Sequence, residues 1–261
     1  MELPLAEDEQ SLRRIWHRLH KTRKKYMILI YNSAILYYND YKLLKGDSRM
    51  GLREANKERR RSGIIRTAEE LFVKQGFNAV HMQDIADAEG IGIATLFRYF
   101  PKKKQLILAV ATSIMESEAD AFKNILDQPR RTAYEKLEDC FEYMKESKNH
   151  PGAKKSKFND AFLVYADNAL EPLDNMLPYL NARRRITDHF MELIDMGRED
   201  GSLHSERCCK KVMLPILSNF SIYTQKLAIS HPTIELNGNL STEQQLETVS
   251  RIYLEYLKPK Q

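Results

Sequence analysis

The chain has 261 residues, of which 43% are hydrophobic and 30% charged, with a net charge of +5. That length holds one large or two modest domains, and the composition is that of a soluble globular chain rather than a disordered one. No apolar run approaches the roughly 20 residues a membrane span needs, and three cysteines, two of them adjacent (Cys208, Cys209), make no disulfide framework and fit a reducing cytoplasm.

Residues 1–49 differ in composition from residues 50–261. The stretch KKYMILIYNSAILYYNDYKLL is rich in residues with AT-rich codons, and it carries the Tyr, Ile and Asn that the rest of the chain uses more sparingly. Lys45, Gly46 and Asp47 can be encoded by AAAGGAGAT, a ribosome-binding sequence suitably upstream of Met50. The expectation is therefore that Met50 is the initiator and that residues 1–49 are translated leader. Tryptic peptides from residues 26–42 in the native protein would disprove it. The acidic start and the lack of a small-residue cleavage site argue against a signal peptide. A basic helical arm is the alternative. Trp16, the only Trp, lies in this segment.

After Met50 comes a short arm, GLREANKERRR, and then a helical pattern. Ile64, Ile65, Ala68, Leu71 and Phe72 recur at three- and four-residue spacing and share one face. Gly76 comes after the last of them, where a helix end favours a residue tolerant of positive φ. A second short helix carries Ile85 and Ala86 and ends before Gly90. Gly92 can start a third, with Leu96 and Phe100 facing inward and Pro101 stopping it. Two helices of about two turns joined by a Gly-containing turn make a helix-turn-helix, whose second helix can enter the DNA major groove. The charge respects this division. Residues 53–104 carry 11 Lys/Arg against 7 Asp/Glu, and residues 105–261 carry 20 against 23. A basic excess on this module is what a DNA-binding surface requires, although a solvated charged surface would show it too.

From Lys104 onward the pattern stays helical: a long fourth helix from Leu106 to about Leu126, then segments near 131–147, 158–169, 172–198, 205–230 and 241–258. Breaks fall at 150–152, Gly201 and 232–238. Ser241 with Gln244 fits a capping box for the last helix. The expected fold is all-α: a three-helix DNA-binding domain over residues 50–103, then a larger helical domain over 104–261.

Residues 59–106 resemble the N-terminal DNA-binding domain of the TetR/AcrR family of bacterial transcriptional regulators. The matching residues are Ile65, Ala68, Leu71, Phe72, Gly76 and Phe77, then Asp84, Ile85 and Ala86, then Gly90, Ile91, Thr95, Leu96, Tyr99, Phe100, Pro101, Lys103 and Leu106. Three departures stand out. Val80, His81 and Met82 precede the second helix where the family has Thr or Ser, Phe97 replaces a Tyr, and Gly92 replaces a capping Ser.

The resemblance implies a homodimeric repressor that binds a palindromic operator in double-stranded DNA and is released by a small-molecule effector. Ala94, Thr95 and Arg98 project opposite Leu96 and Phe100, so they would face the groove, with Arg98 able to take a guanine or a phosphate. Ile93, Ala94 and the Thr95 methyl could touch thymine methyls, and Gln83 could read adenine or bind backbone. Tyr99 and Lys103 match phosphate-contacting positions of the family. The candidate DNA set is His81, Gln83, Gly92, Ile93, Ala94, Thr95, Phe97, Arg98, Tyr99 and Lys103. In the family the middle helices often enclose a ligand pocket; most bulky residues there are ordinary core, and a subset would line a cavity for an apolar small molecule. Candidate lining residues are Phe122, Phe141, Met144, Phe162, Tyr165, Met176 and Tyr179, with His189 as a polar contact. The last two helices would pair with their twins through Phe220, Tyr223, Leu227, Leu246, Val249, Tyr253 and Tyr256. An intramolecular core is the plainer reading of the same stripes.

No enzyme is expected. GIGIAT at 90–95 lacks the third Gly of a nucleotide loop, and the close pair His17 and His20 lies in the doubtful leader. No acid/base pair, nucleophile triad, metal site or cofactor site stands out, and Cys208 and Cys209 read as an incidental pair. The expected location is the cytoplasm, on DNA, without a membrane partner. The competing function is a ligand-independent DNA-binding architectural or division factor of the same fold.

Overall fold

The computed structural model describes residues 52–146, 152–169, 173–229 and 240–259, and the expectations about residues 1–49 fall outside them. Among the described residues there are nine helices and no strand: α1 (Leu52–Gln75), α2 (Met82–Glu89), α3 (Ile93–Tyr99), α4 (Lys103–Leu126), α5 (Ala133–Glu146), α6 (Gly152–Asp167), α7 (Leu177–Glu199), α8 (Lys210–Ile229) and α9 (Thr242–Leu257). The all-α expectation holds. None of these helices is long and apolar enough to cross a membrane.

The largest departure from the sequence reading is at the start. The expected arm is helical, so α1 begins at Leu52 rather than near Ile64. Hydrophobic periodicity is silent there because residues 53–61 hold no large apolar side chain. Arg, Lys, Glu and Ala are nevertheless strong helix formers, so the helix continues past its apolar stripe. Later starts also move. Asn175 sits at φ 60° and Pro178 at the first turn of α7, which fixes the beginning of that helix at Leu177. At α9 the expected capping box forms: Ser241 Oγ accepts from the Gln244 N–H at 3.1 Å, and Gln244 Oε1 accepts from the Ser241 N–H at 2.9 Å.

Two apolar cores result. The proximal one joins Ile64, Ala68 and Phe72 of α1, Ile85 of α2 and Leu96 of α3 to Leu106, Val110 and Ile114 of α4. Phe158 and Phe162 of α6 and Tyr179 of α7 complete it. The distal one holds Phe122 and Leu126 of α4, Leu137 and Phe141 of α5, Phe190 and Leu193 of α7, Met213 and Phe220 of α8, and Leu246 and Leu257 of α9. Helix α4 runs through both. The expected boundary at 103/104 therefore falls in the first turn of a shared helix. The C-terminal carbonyl of α4 is bound by a buried cation: Lys136 Nζ donates to the Leu126 carbonyl at 2.6 Å, which suits the negative end of a helix.

Candidate nucleic-acid interface

The turn between α2 and α3 depends on one residue. Gly90 closes α2 in the left-handed region at φ 70°, and its N–H and that of Ile91 bond back to Asp87 and Ala86. A side chain at that φ would be strained. Two residues later Gly92 begins α3, and the Thr95 and Leu96 N–H groups bond to its carbonyl. Leu96 is fully buried and Phe100 nearly so, which pins the inner side of α3. At the other end of α2, the His81 N–H donates to the Asp84 carboxylate at 2.7 Å. Thus Asp84 supplies the cap that the missing Thr or Ser would have strengthened. Glu89, at the end of α2, accepts from Thr67 Oγ1 and clasps the unit to α1.

With Leu96 inward, the outer face of α3 presents Ala94, Phe97 and Arg98, all exposed, and a half-buried Thr95. His81, Gln83 and Gly92 are also exposed. The remaining three candidates are less free. Ile93 and Tyr99 pack against the proximal core, and Lys103 is half-buried with its ammonium 3.5 Å from the Asn78 carbonyl. Burial lowers the Lys103 pKa, against the pull of Asp84. The Gln83 amide donates to Asp87 at 2.7 Å, so reading a base would require breaking that bond. Arg98 lies 5.8 Å above the Tyr99 ring. Arg98 therefore has the freest polar head among the α3 candidates.

The eight candidate pocket residues do not converge. Phe162, Tyr165, Met176 and Tyr179 belong to the proximal core, whereas Phe122, Phe141 and Met144 belong to the distal one. His189 sits between α7 and α4 beside Glu192, and its Nε2 is buried with no hydrogen-bond partner. A groove of about 630 Å³ does open between the α1–α2 loop, α6 and α8, lined by Phe77, Asn78, Lys157, Asp160, Val164 and Tyr165 among others. Of the eight, only Tyr165 reaches it. Bulky residues at helical spacing fill a core first, and a cavity is what is left over, so the stripe could not identify its lining.

Of the seven candidate dimer residues, six pack within this chain and Tyr256 alone of the seven stands outward. Phe220 is fully buried against Phe141, with ring centroids 4.7 Å apart, and Leu246 is 4% exposed. Tyr253 stacks on Phe141 at 6.2 Å, and the Tyr223 hydroxyl donates to Gln245. These residues join α8 and α9 to α5 within one chain; Leu227 and Val249 pack on the same core. The apolar residues left outward are Ile222 on α8 and Ile252 and Tyr256 on α9, at 49%, 59% and 44% exposure. The signal was present in α9, whose last two turns carry Ile252, Tyr253, Leu254, Tyr256 and Leu257 and so are apolar on more than one face.

A short helix-turn-helix whose outer face offers Arg98 among small and aromatic side chains, joined to a second helical core by one long helix, defines a class of protein: a regulator with a DNA-reading module on a helical domain. The model for "Bacterial regulatory proteins, tetR family" matches residues 64–110, so the helix-turn-helix module, from the second half of α1 to the first turns of α4, is of the tetR type. Among curated relatives, the HTH-type transcriptional activator FasR of Mycolicibacterium smegmatis is 33% identical over 104 residues, 38% of this chain and 47% of that protein. The HTH-type transcriptional repressor KstR2 of the same organism is 24% identical over 151 residues, 56% of this chain and 69% of that protein. The match thus spans only about half the length of FasR. Among solved structures, a transcriptional regulator from Saccharomonospora viridis in complex with choline superposes with a TM-score of 0.58 at 20% identity. That superposition covers 78% of this chain and all of the other, and it establishes the fold.

Proposed function

We infer that this chain is a homodimeric transcriptional repressor that reads a palindromic operator through α3 and leaves it when a small molecule binds the helical domain. One observation carries the reading: Ala94, Phe97 and Arg98 stand exposed on a short helix held by the Gly90 turn, and they are accompanied by a net basic module. Such a helix delivers side chains to base edges, and the surrounding cations supply affinity without sequence information. Two recognition helices about 34 Å apart are needed for a two-fold site, hence the dimer. Ile222, Ile252 and Tyr256 are the apolar residues we assign to its interface.

Of the candidate contacts, we assign base reading to Thr95 and Arg98 and apolar contact to Ala94 and Phe97. His81, Gln83, Gly92, Ile93, Tyr99 and Lys103 we assign to the flanking backbone and to holding the unit. Effector release is a matter of mass action. A ligand that prefers the dimer with its recognition helices spread shifts the population off DNA, through α4, which spans both cores. That a protein of this fold, from S. viridis, is solved in complex with choline supports a small-molecule ligand for this chain. Repression is the action the resemblance implies, and the two curated relatives have opposite signs. A ligand-independent DNA-binding factor is the second reading. It is favoured by the packing of seven of the eight pocket candidates into the two cores.

Footprinting on DNA upstream of its own gene tests the proposal. A protected palindrome, lost on Arg98→Ala with the melting temperature kept, supports it; Arg98 would contribute about 1–3 kcal/mol of discrimination if it takes a guanine. Salt-sensitive smearing without a protected site would refute sequence-specific reading at that locus. Melting shifts against a panel of apolar and cationic compounds then separate the sensor from the ligand-independent factor.

A further inference from the structure

Helix α1 changes chemistry along one face. Ile64, Ile65, Ala68 and Phe72 make its buried stripe. Toward the N-terminus, the same side at spacings of three and four carries Arg61 and Lys57 on the stripe, Arg60 and Arg53 along one edge of it, and Glu58 and Glu54 along the other. In helical register Arg61 and Lys57 continue the core-facing stripe beyond the core and Arg60 and Arg53 border it, where no described element covers them. Arg53, Lys57 and Arg60 are exposed. Among the described residues no carboxylate pairs with them. Arg61 has the exposed, i,i+3 partner Glu58 at 3.7 Å.

This arrangement opposes helix stability. The N-terminal end of a helix carries positive partial charge, so cations there are unfavourable, and like charges at i,i+4 repel. Only Glu54 opposes them in the first turn. A local rule broken in this way, with no compensating contact among the described residues, points outward to a partner. The position of the overhang says which partner. The Arg61 guanidinium lies 5.2 Å over the ring of Phe100, the residue that ends the recognition helix. The cationic face therefore begins beside the C-terminal end of α3. It continues for eight residues, about 12 Å, which matches three or four phosphates along one strand.

We propose that residues 53–61 form a phosphate clamp: Arg53, Lys57 and Arg60 grip the DNA backbone flanking the groove that α3 enters. The clamp deepens the DNA-binding reading and rests on it. It adds affinity to any duplex equally and carries no sequence information. Arg59 lies on the far side of the helix and takes no part.

The test uses the full chain with the triple variant Arg53→Gln, Lys57→Gln and Arg60→Gln, and Arg59→Gln as a control on the same helix. Affinity for the footprinted operator and for an unrelated duplex is measured by fluorescence anisotropy over a salt series. The triple variant is expected to have a log–log salt slope shallower by about 2 to 3, with operator and unrelated DNA weakened by the same factor. Arg59→Gln is expected to match the wild type. Circular-dichroism melting confirms that the variants are folded. An unchanged slope in the triple variant, with wild-type protein bound to its operator, overturns the clamp and leaves the DNA-binding reading standing. A loss confined to the operator would mean that the overhang reads sequence and would overturn it too. Wild-type protein that binds no duplex removes the reading and the clamp together.

Discussion

The two cores are similar in composition but differ in what they join. The distal core ties α5, α8 and α9 to the far halves of α4 and α7, all within the helical domain. The proximal core takes its residues from both sides of the expected domain boundary. Phe158 of α6 stacks on Phe72 of α1 at 6.2 Å and meets Phe77 edge-on at 5.7 Å, and Lys155 bridges to Glu69 at 2.8 Å. The DNA-reading module is thus packed on the helical domain through two elements, α4 and α6. A substitution in the proximal core touches DNA binding and stability together, whereas one in the distal core touches stability alone.

Removing one ring from each core gives the largest contrast. Phe158→Ala and Phe141→Ala each delete a nearly or fully buried aromatic, at a cost of about 3–5 kcal/mol in urea unfolding. Phe158→Ala is also expected to change operator affinity and its response to effector, because α1 loses its seat on α6. Phe141→Ala should leave the affinity of the folded fraction unchanged. Equal changes in affinity from both would mean that the two cores act as one.

A charge on the outer face sharpens the same contrast at the far end. Ile252→Asp should leave the protomer folded, since Ile252 is 59% exposed. Like charges facing each other across a two-fold interface cost several kcal/mol, so the dimer should weaken about a hundredfold in sedimentation experiments. Phe220→Ala should instead lower stability, because that ring is interior. If Ile252→Asp sediments as an intact dimer, the interface lies on another face.

These contrasts show what the sequence could and could not convey. The turn at Gly90, the inward Leu96 and Phe100 and the stripe from Ile64 to Phe72 were legible because each obeys local rules: a positive φ, a helical period, a proline stop. The start of α1 was not, because hydrophobic periodicity has no voice where there are no apolar residues. The dimer stripe was half legible. The period identified a buried face on α8 and α9, but whether that face buries Phe220 in its own chain or in a twin depends on where α5 lies, which is a tertiary fact. The pocket was least legible. Its candidates were chosen for bulk, and bulk is what fills Phe141 and Phe162 into two separate cores.

A smaller effect separates the two ends of α9. Ser241→Ala removes the oxygen that accepts from the Gln244 N–H and leaves Gln244 alone in the capping box. The expected loss is about 1 kcal/mol in urea unfolding, without change in DNA affinity. A loss near zero would show that the first turn of α9 is held by packing alone.

The smallest expected effect probes the α4–α7 contact through His189. Burial lowers its pKa from the ordinary 6.5. Glu192 and Asp188 on α7 oppose that shift, while Arg185 on α7 and Lys123 on α4 reinforce it. The folded protein therefore takes up a proton at His189 less readily than the unfolded chain does. Well above pH 6.5 both states are neutral there and the group is silent. As pH falls below 6.5 the unfolded chain binds the proton first, so stability declines until the folded pKa is passed. Wild-type protein should thus lose more melting temperature between pH 7.5 and pH 5.5 than His189→Asn, which cannot titrate. Because α4 also carries the recognition module, the comparison is best repeated with operator bound. Protonation that loosens α4 from α7 would then show as weaker DNA binding in acid for the wild type alone, and parallel curves for the two proteins would show that His189 is charged or neutral alike in both states.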